Sequence, residues 1–210
     1  MSGGADVARL VVAVATELLD ARDELNRLDG VAGDGDLGLT VANAARALLE
    51  LAPSLGDLAE GDAIRRCGTE IARRAPSTGG TLIAFALMAA AKAGVDASAP
   101  TTERIAGYLE AAAESIAQRG QVVAGDRTLL DALQPAAKAA RGAAMGGVSV
   151  LQLAHAAADA AEAGASSTTA MPAKVGRAGW LAARAAGHED AGARLVALAF
   201  RAAANAADPR

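Results

Sequence analysis

The chain has 210 residues, 52% hydrophobic and 21% charged, a balance that suits a globular core and excludes an intrinsically disordered chain. A net charge of -4 with 2% aromatic residues supplies neither a basic footprint nor stacking platforms, so nucleic acid is excluded as a partner. Cys67 is the only cysteine, which excludes an internal disulfide or a thiolate metal site within one chain; its setting in "IRRCGTEI" reads as buried packing.

The N-terminal "MSGGADVARLVVAVATELLDARDELNRLD" has no basic flank before its short apolar run, so it reads as helix and not as an export signal. No segment offers the ~18 uninterrupted apolar residues of a membrane span, and a cytoplasmic protein without membrane contact is the expectation. Val7, Leu10, Val11, Val14, Leu18, Leu25 and Leu28 follow helical spacing and predict one helix over about 5–28. The segment "DGVAGDGDLG" ends it, being too glycine-rich to continue.

A second helix is predicted over about 40–51, stopped by "APSLGD". A third, capped by Asp62, runs to Ala75. "APSTGG" precedes a fourth over about 81–93, and Ile105 to Ile116 mark a fifth. "QRGQVVAGDRT" leads into a sixth, where Pro135 must lie near the start or kink the helix. Ser149 caps a seventh, and two further pieces, "GRAGWLAARAAG" and "DAGARLVALAFRAAANAA", flank "HED". Alanine on nearly every face lets helices approach closely, which predicts an all-α antiparallel bundle or barrel formed by residues 1–210 as one domain.

Four loops carry residues capable of chemistry. In the first, Asp29, Asp34 and Asp36 fall within eight residues. Two unit charges ~4 Å apart repel by about 4 kcal/mol at an effective dielectric near 20, so convergence calls for a cation. Gly38 and Ala45 stand where an EF-hand counted from Asp34 needs oxygen ligands, which leaves a hard-cation site of the magnesium kind or plain turn and cap residues. In the second, "APSTGGT", small residues before a helix suit either an anion or a capped turn, without a Walker lysine or Rossmann pattern. The third, "GDRTLLDALQPA", places Gly125, Asp126, Arg127 and Thr128 at a helix start, where capping by Asp126 or Thr128 is the simple reading. The fourth brings Arg177, suited to phosphate oxygens, together with His188, Asp190 and Gly192; Asp190 either caps the last helix or orients a ligand. His155 falls mid-helix and reads as surface.

In this order, "GDGDLG" with Asp29 upstream, "STGGT", "GDRTLLDALQPA" and "GRAGWLAARAAGHEDAG" resemble the nucleotide-binding L subunit of dihydroxyacetone kinases and the homologous C-terminal domain of single-chain kinases. The resemblance covers nearly the whole chain. It implies an antiparallel barrel of about eight helices with ATP or ADP at one end. Asp29, Asp34 and Asp36 correspond to carboxylates that hold two magnesium ions against the nucleotide phosphates, in a catalytic as well as a ligating role. Leu37, Gly38, Leu39 and Thr40 fall where the next turn meets the nucleotide, with Thr78 and Gly79 on the phosphate side. Gly125, Arg177, Asp190, Ala191 and Gly192 match the remaining nucleotide contacts.

By the same resemblance, phosphate passes from Mg-ATP to a short ketose, dihydroxyacetone by default, held on a separate K subunit, so activity requires that partner. Leu37 stands where many sugar-phosphotransferase-linked L subunits carry histidine, which favours ATP over a resident ADP recharged by a phosphoprotein. Ala191 stands where proline is common. An ADP-binding regulator of a transcription factor and the nucleotide domain of a fatty-acid kinase are the competing readings, and a homodimer is left open.

Overall fold

The computed structural model describes residues 3–93, 98–175 and 182–208, and among these every regular element is helical. Among the described residues nine long helices follow one another: α1 (Gly3–Asp20), α2 (Arg22–Ala32), α3 (Leu37–Leu51), α4 (Glu60–Arg74), α5 (Thr78–Lys92), α6 (Thr101–Gly120), α7 (Leu130–Met145), α8 (Val150–Ser167) and α9 (Ala191–Ala207). Short 3-10 turns follow α3 and α8, and a single helical turn spans Ala182–Ala185.

The expected first helix is broken and longer than the periodicity implied. Ala21, at φ -79° and ψ 1°, separates α1 from α2, while the Ala21 N–H still donates to the Glu17 carbonyl at 3.0 Å, so the break is a kink. With α1 and α2 counted as one rod, the described residues make eight antiparallel rods, the barrel that the resemblance implies. Consecutive rods pack side by side, and α9 closes the ring between α8 and α1. Arg194 fastens that closure, donating from Nε to Glu24 Oε1 and from Nη1 to Glu162 Oε1, each at 2.8 Å.

Alanine dominates the interior. Ala106, Ala132, Ala136, Ala157, Ala161, Ala193 and Ala197 pack with Leu153 in one cluster between α6, α7, α8 and α9. Such residues bring backbones close but bury little area each, so the few large side chains weigh heavily: Leu25, Leu55, Ile116, Leu130 and Leu153 are each fully buried. Cys67 is buried beside Leu55 and Ala63, in the packing role read from its sequence.

Several boundaries differ from expectation for local reasons. The second predicted helix begins at Leu37, three residues early, because Asp29 accepts the amides that would otherwise be unsatisfied there. Asp62 is not a cap; α4 begins at Glu60 and Asp62 lies in its first turn beside Arg65. The fourth predicted helix starts at Thr78 because Ser77 caps it, accepting from Gly80 N at 3.0 Å. Ser149 caps α8 in a full capping box with Gln152. Pro135 lies inside α7, in its second turn. His155 is half-buried rather than on the surface.

Candidate functional site

Antiparallel order puts every second connection at the same end of the barrel. The α2–α3 loop, the α4–α5 turn, the α6–α7 loop and the segment before α9 therefore share one end. These are the four segments that carry the chemistry-capable residues.

Asp29 is not in the loop, as its glycine-rich surroundings implied, but in the last turn of α2. Its Oδ2 reaches across the turn and accepts from the N–H of Gly35 (2.9 Å), Asp36 (3.1 Å) and Leu37 (3.3 Å). Gly35 makes the tight return possible at φ 76°, a conformation that side chains disfavour. Asn26 adds a fourth link, its Oδ1 accepting from Leu39 N at 3.2 Å. The entry of α3 then passes so near α2 that a Cβ at Gly38 would overlap the Arg22 carbonyl. This folding brings one carboxylate oxygen from each of Asp29, Asp34 and Asp36 within 4.8 Å of the others.

Beside this corner lies a cleft of about 300 Å³. Leu28, Leu37, Leu129 and Val175 give it an apolar lining, while Asp29, Arg127, Glu189 and Asp190 supply charge. The α6–α7 wall is braced by buried carboxylates. Asp131 accepts from Gly125 N at 2.5 Å and from Thr128 N at 2.7 Å; Asp126 accepts from Val123 N at 2.9 Å and from Lys174 Nζ at 3.2 Å. The Val123 amide and the Lys174 ammonium hold the Asp126 carboxyl below its ordinary range. Asp190 caps α9, accepting from Ala193 N at 2.8 Å, as one of the two sequence readings had it. Burial pushes its carboxyl up to about 6, against the opposing pull of the Ala193 amide and Arg127.

Of the residues singled out from sequence, Asp29, Leu37, Gly79, Asp190, Ala191 and Gly192 line the cleft, and Asp34 and Asp36 stand with Asp29 at its edge. Gly38 is buried under α2, Leu39 is 50% exposed, and the N–H of Thr40 donates to the Asp36 carbonyl. Thr78 is exposed as the first residue of α5, and Gly125 is half-buried, at φ 91°. Arg177 lies outside the described residues. The side chain of His188 is exposed, and its carbonyl, not its ring, enters the network by accepting from Arg127. Arg127 and Thr128, placed from sequence at a helix start with Thr128 as a candidate cap, are cleft walls together with Leu129. An arginine between a loop aspartate and a helix start was the available signal; its burial depends on segments far along the chain.

The donor set suits a hard divalent cation. One carboxylate oxygen from each of Asp29, Asp34 and Asp36 converges, and Asp29 keeps Oδ1 clear of the main-chain bonds taken by Oδ2. Gly33 maintains the space, since a Cβ there would overlap Asp29 Oδ1. Two like charges 4.8 Å apart repel by about 3.5 kcal/mol at an effective dielectric near 20, but Asp34 and Asp36 are exposed and water screening brings such a pair to about 1 kcal/mol or less.

Known proteins resemble this chain over most of its length. The chain is 35% identical over 206 residues to the D-erythrulose kinase of Mycolicibacterium smegmatis, covering 97% of this chain and 36% of that protein. It is 30% identical over 172 residues to the ADP-binding subunit DhaL of the PEP-dependent dihydroxyacetone kinase of Escherichia coli, covering 82% of each. The crystal structure of the dihydroxyacetone kinase from C. freundii in complex with AMP-PNP and Mg2+ superposes with a TM-score of 0.73 at 30% identity, covering 95% of this chain and 33% of that one. The chain thus spans about a third of the length of the first curated relatives it matches, 36% and 32%. No described helix is long and apolar enough to cross a membrane. Residues 31–205 match the DAK2 domain, and by that match, with the eight-rod barrel and the acidic corner, the chain belongs to the DAK2 domain family.

Proposed function

We propose that residues 1–210 act as one nucleotide-binding domain, the phosphoryl-donor subunit of a dihydroxyacetone (glycerone) kinase that serves a short ketose held on a separate K subunit. The observation that carries this reading is the convergence of Asp29, Asp34 and Asp36 within 4.8 Å beside a cleft of about 300 Å³. Those three carboxylates would hold two magnesium ions, which when bound neutralise phosphate oxygens and lower the charge opposing an in-line hydroxyl attack. The chain itself supplies position. Leu28, Leu37, Leu129 and Val175 offer apolar surface to a base, while the first turn of α5, at Thr78 and Gly79, presents main-chain N–H groups suited to phosphate oxygens. Catalysis by this domain is then placement and charge stabilisation, without a covalent intermediate.

Titration calorimetry with ATP and ADP, with and without magnesium, tests the reading. Binding should require magnesium and disappear in Asp34→Ala while helicity by circular dichroism persists; unchanged affinity rejects the metal assignment. With ATP and dihydroxyacetone the isolated chain should be nearly silent until a K subunit is added, and robust turnover by the chain alone contradicts the two-subunit arrangement. A second reading has its own support, the coverage of 82% of the ADP-binding DhaL subunit: a resident ADP recharged by a phosphotransferase-system phosphoprotein. Leu37 on the cleft wall favours ATP, and phosphoryl transfer from ATP with no phosphoprotein present decides between the two.

A further inference from the structure

Arg127 is only 4% exposed, lines the cleft, and holds a left-handed backbone at φ 63°. A non-glycine residue persists in that conformation where its surroundings over-determine it. Here the guanidinium does so. Nε donates to the Thr168 carbonyl at 3.3 Å, and Nη2 donates to the carbonyls of Ala185 at 3.0 Å and His188 at 2.8 Å. These three acceptors lie 41, 58 and 61 residues further along the chain, so one side chain joins the α6–α7 loop to the end of α8 and to the approach to α9.

The links continue to the cleft. Thr168, fully buried, accepts through Oγ1 from the Asp190 N–H at 2.8 Å, and Asp190 in turn caps α9 through Ala193 N at 2.8 Å. On the other side, Thr128 follows Arg127 directly and is fixed by Asp131 at 2.7 Å. Arg127 therefore ties the Thr128–Leu129 wall, which its own backbone enters, to the segments that carry the Asp190–Gly192 wall, which its guanidinium grips.

We infer that Arg127 is a positioning residue for the nucleotide, setting the separation of the two cleft walls through its fork of bonds to Thr168, Ala185 and His188. The inference rests on the nucleotide-binding reading above. It also requires arginine, because three carbonyls in different directions need the planar fork; a lysine keeps the charge on a single rotating ammonium and loses the geometry.

The test compares the parent with Arg127→Lys, Thr168→Val and, as a control at the opposite end, Arg104→Lys, which alters a comparable guanidinium bound to Glu60 and the Ala99 carbonyl. Mg-ADP affinity is read by calorimetry below the melting transition, and hydrogen exchange is followed at the Asp190 and Ala193 amides. Arg127→Lys should lose at least tenfold in affinity and exchange both amides at least tenfold faster. Thr168→Val, which removes one acceptor and leaves Arg127 intact, should lose at least threefold and carries the test if Arg127→Lys does not fold. Arg104→Lys should bind as the parent does. A purely electrostatic role is met by lysine and a purely structural one lowers melting temperature alone, so parent-like affinity in folded Arg127→Lys, or in Thr168→Val, overturns the inference. Failure of the parent itself to bind Mg-ADP overturns the nucleotide reading, and this inference with it.

Discussion

Asp29 differs from the other two acidic residues in a way that separates folding from binding. Its Oδ2 accepts the amides of Gly35, Asp36 and Leu37, whereas Asp36 stands exposed at the start of α3 and makes no side-chain cap bond. Hydrogen bonds to charged acceptors are worth about 1.5–3 kcal/mol, but these three share one half-buried oxygen, so about 1 kcal/mol each is the better figure. Asp29→Ala should then cost about 3 kcal/mol, a fall of about 6–12 °C in Tm for a domain of this size. Either substitution relieves the like-charge repulsion within the trio, small where water screens it, and Asp36→Ala otherwise loses only a modest helix-dipole contribution, so its Tm should stay within about 2 °C of the parent. Both variants should lose magnesium-dependent nucleotide binding. Melting followed at 222 nm without magnesium, paired with calorimetry, reads the two effects separately. Equal melting temperatures for Asp29→Ala and Asp36→Ala would refute the assignment of Asp29 as the residue that builds the corner.

Gly38→Ala forces its new methyl into the Arg22 carbonyl, so α3 must move away from α2 at a cost of about 1–3 kcal/mol; urea unfolding measures it, and an unchanged midpoint removes the close-approach argument. Burial pushes the Cys67 thiol up to about 11, so the native protein should resist iodoacetamide at pH 8 and react once unfolded; rapid native labelling contradicts that burial. The folded Asp190 carboxyl titrates near 6 against an ordinary 3.8, so the native state holds the extra proton between those values and stability falls as pH rises through that window, then levels. Asp190→Asn keeps an acceptor for the α9 cap and should flatten this slope, with a gain at pH 7 of up to roughly 3 kcal/mol; parallel pH profiles for parent and variant contradict it.

Much of the barrel was legible because apolar spacing and glycine-rich breaks are local signals. Ser149 with Gln152, and Asp190 before "AGAR", announce helix starts by chemistry that acts within four residues. The kink at Ala21 was not legible, since "DARDEL" continues a helical pattern and the hydrogen bond to Glu17 survives the break. Asp29 was placed correctly in the trio but in the wrong element: glycine at 30, 33 and 35 reads as loop, and only the bond of its own carboxylate to the following amides shows where α2 ends. Arg127 was named at the start of α7, but its bridging role was not legible. Its acceptors are 41 to 61 residues away, and no local pattern reports such bonds.

The convergence of the four loops, by contrast, follows from counting. In a ring of antiparallel rods, connections alternate between ends, and two rods separate each chemistry-bearing segment from the next. The acidic corner after α2, the capped start of α5, the braced start of α7 and the Asp190 cap of α9 must then face one another whatever the side chains between them do. All four segments begin a helix, α3, α5, α7 and α9, whose dipole points its positive end toward the cleft, and the first of them also holds the carboxylates. A ligand that joins phosphate oxygens to a divalent cation satisfies both halves of that field at once, and an anion or a cation alone satisfies only one. The opposite end, with the 52–59 and 146–149 connections, has no convergent acidic trio among the described residues.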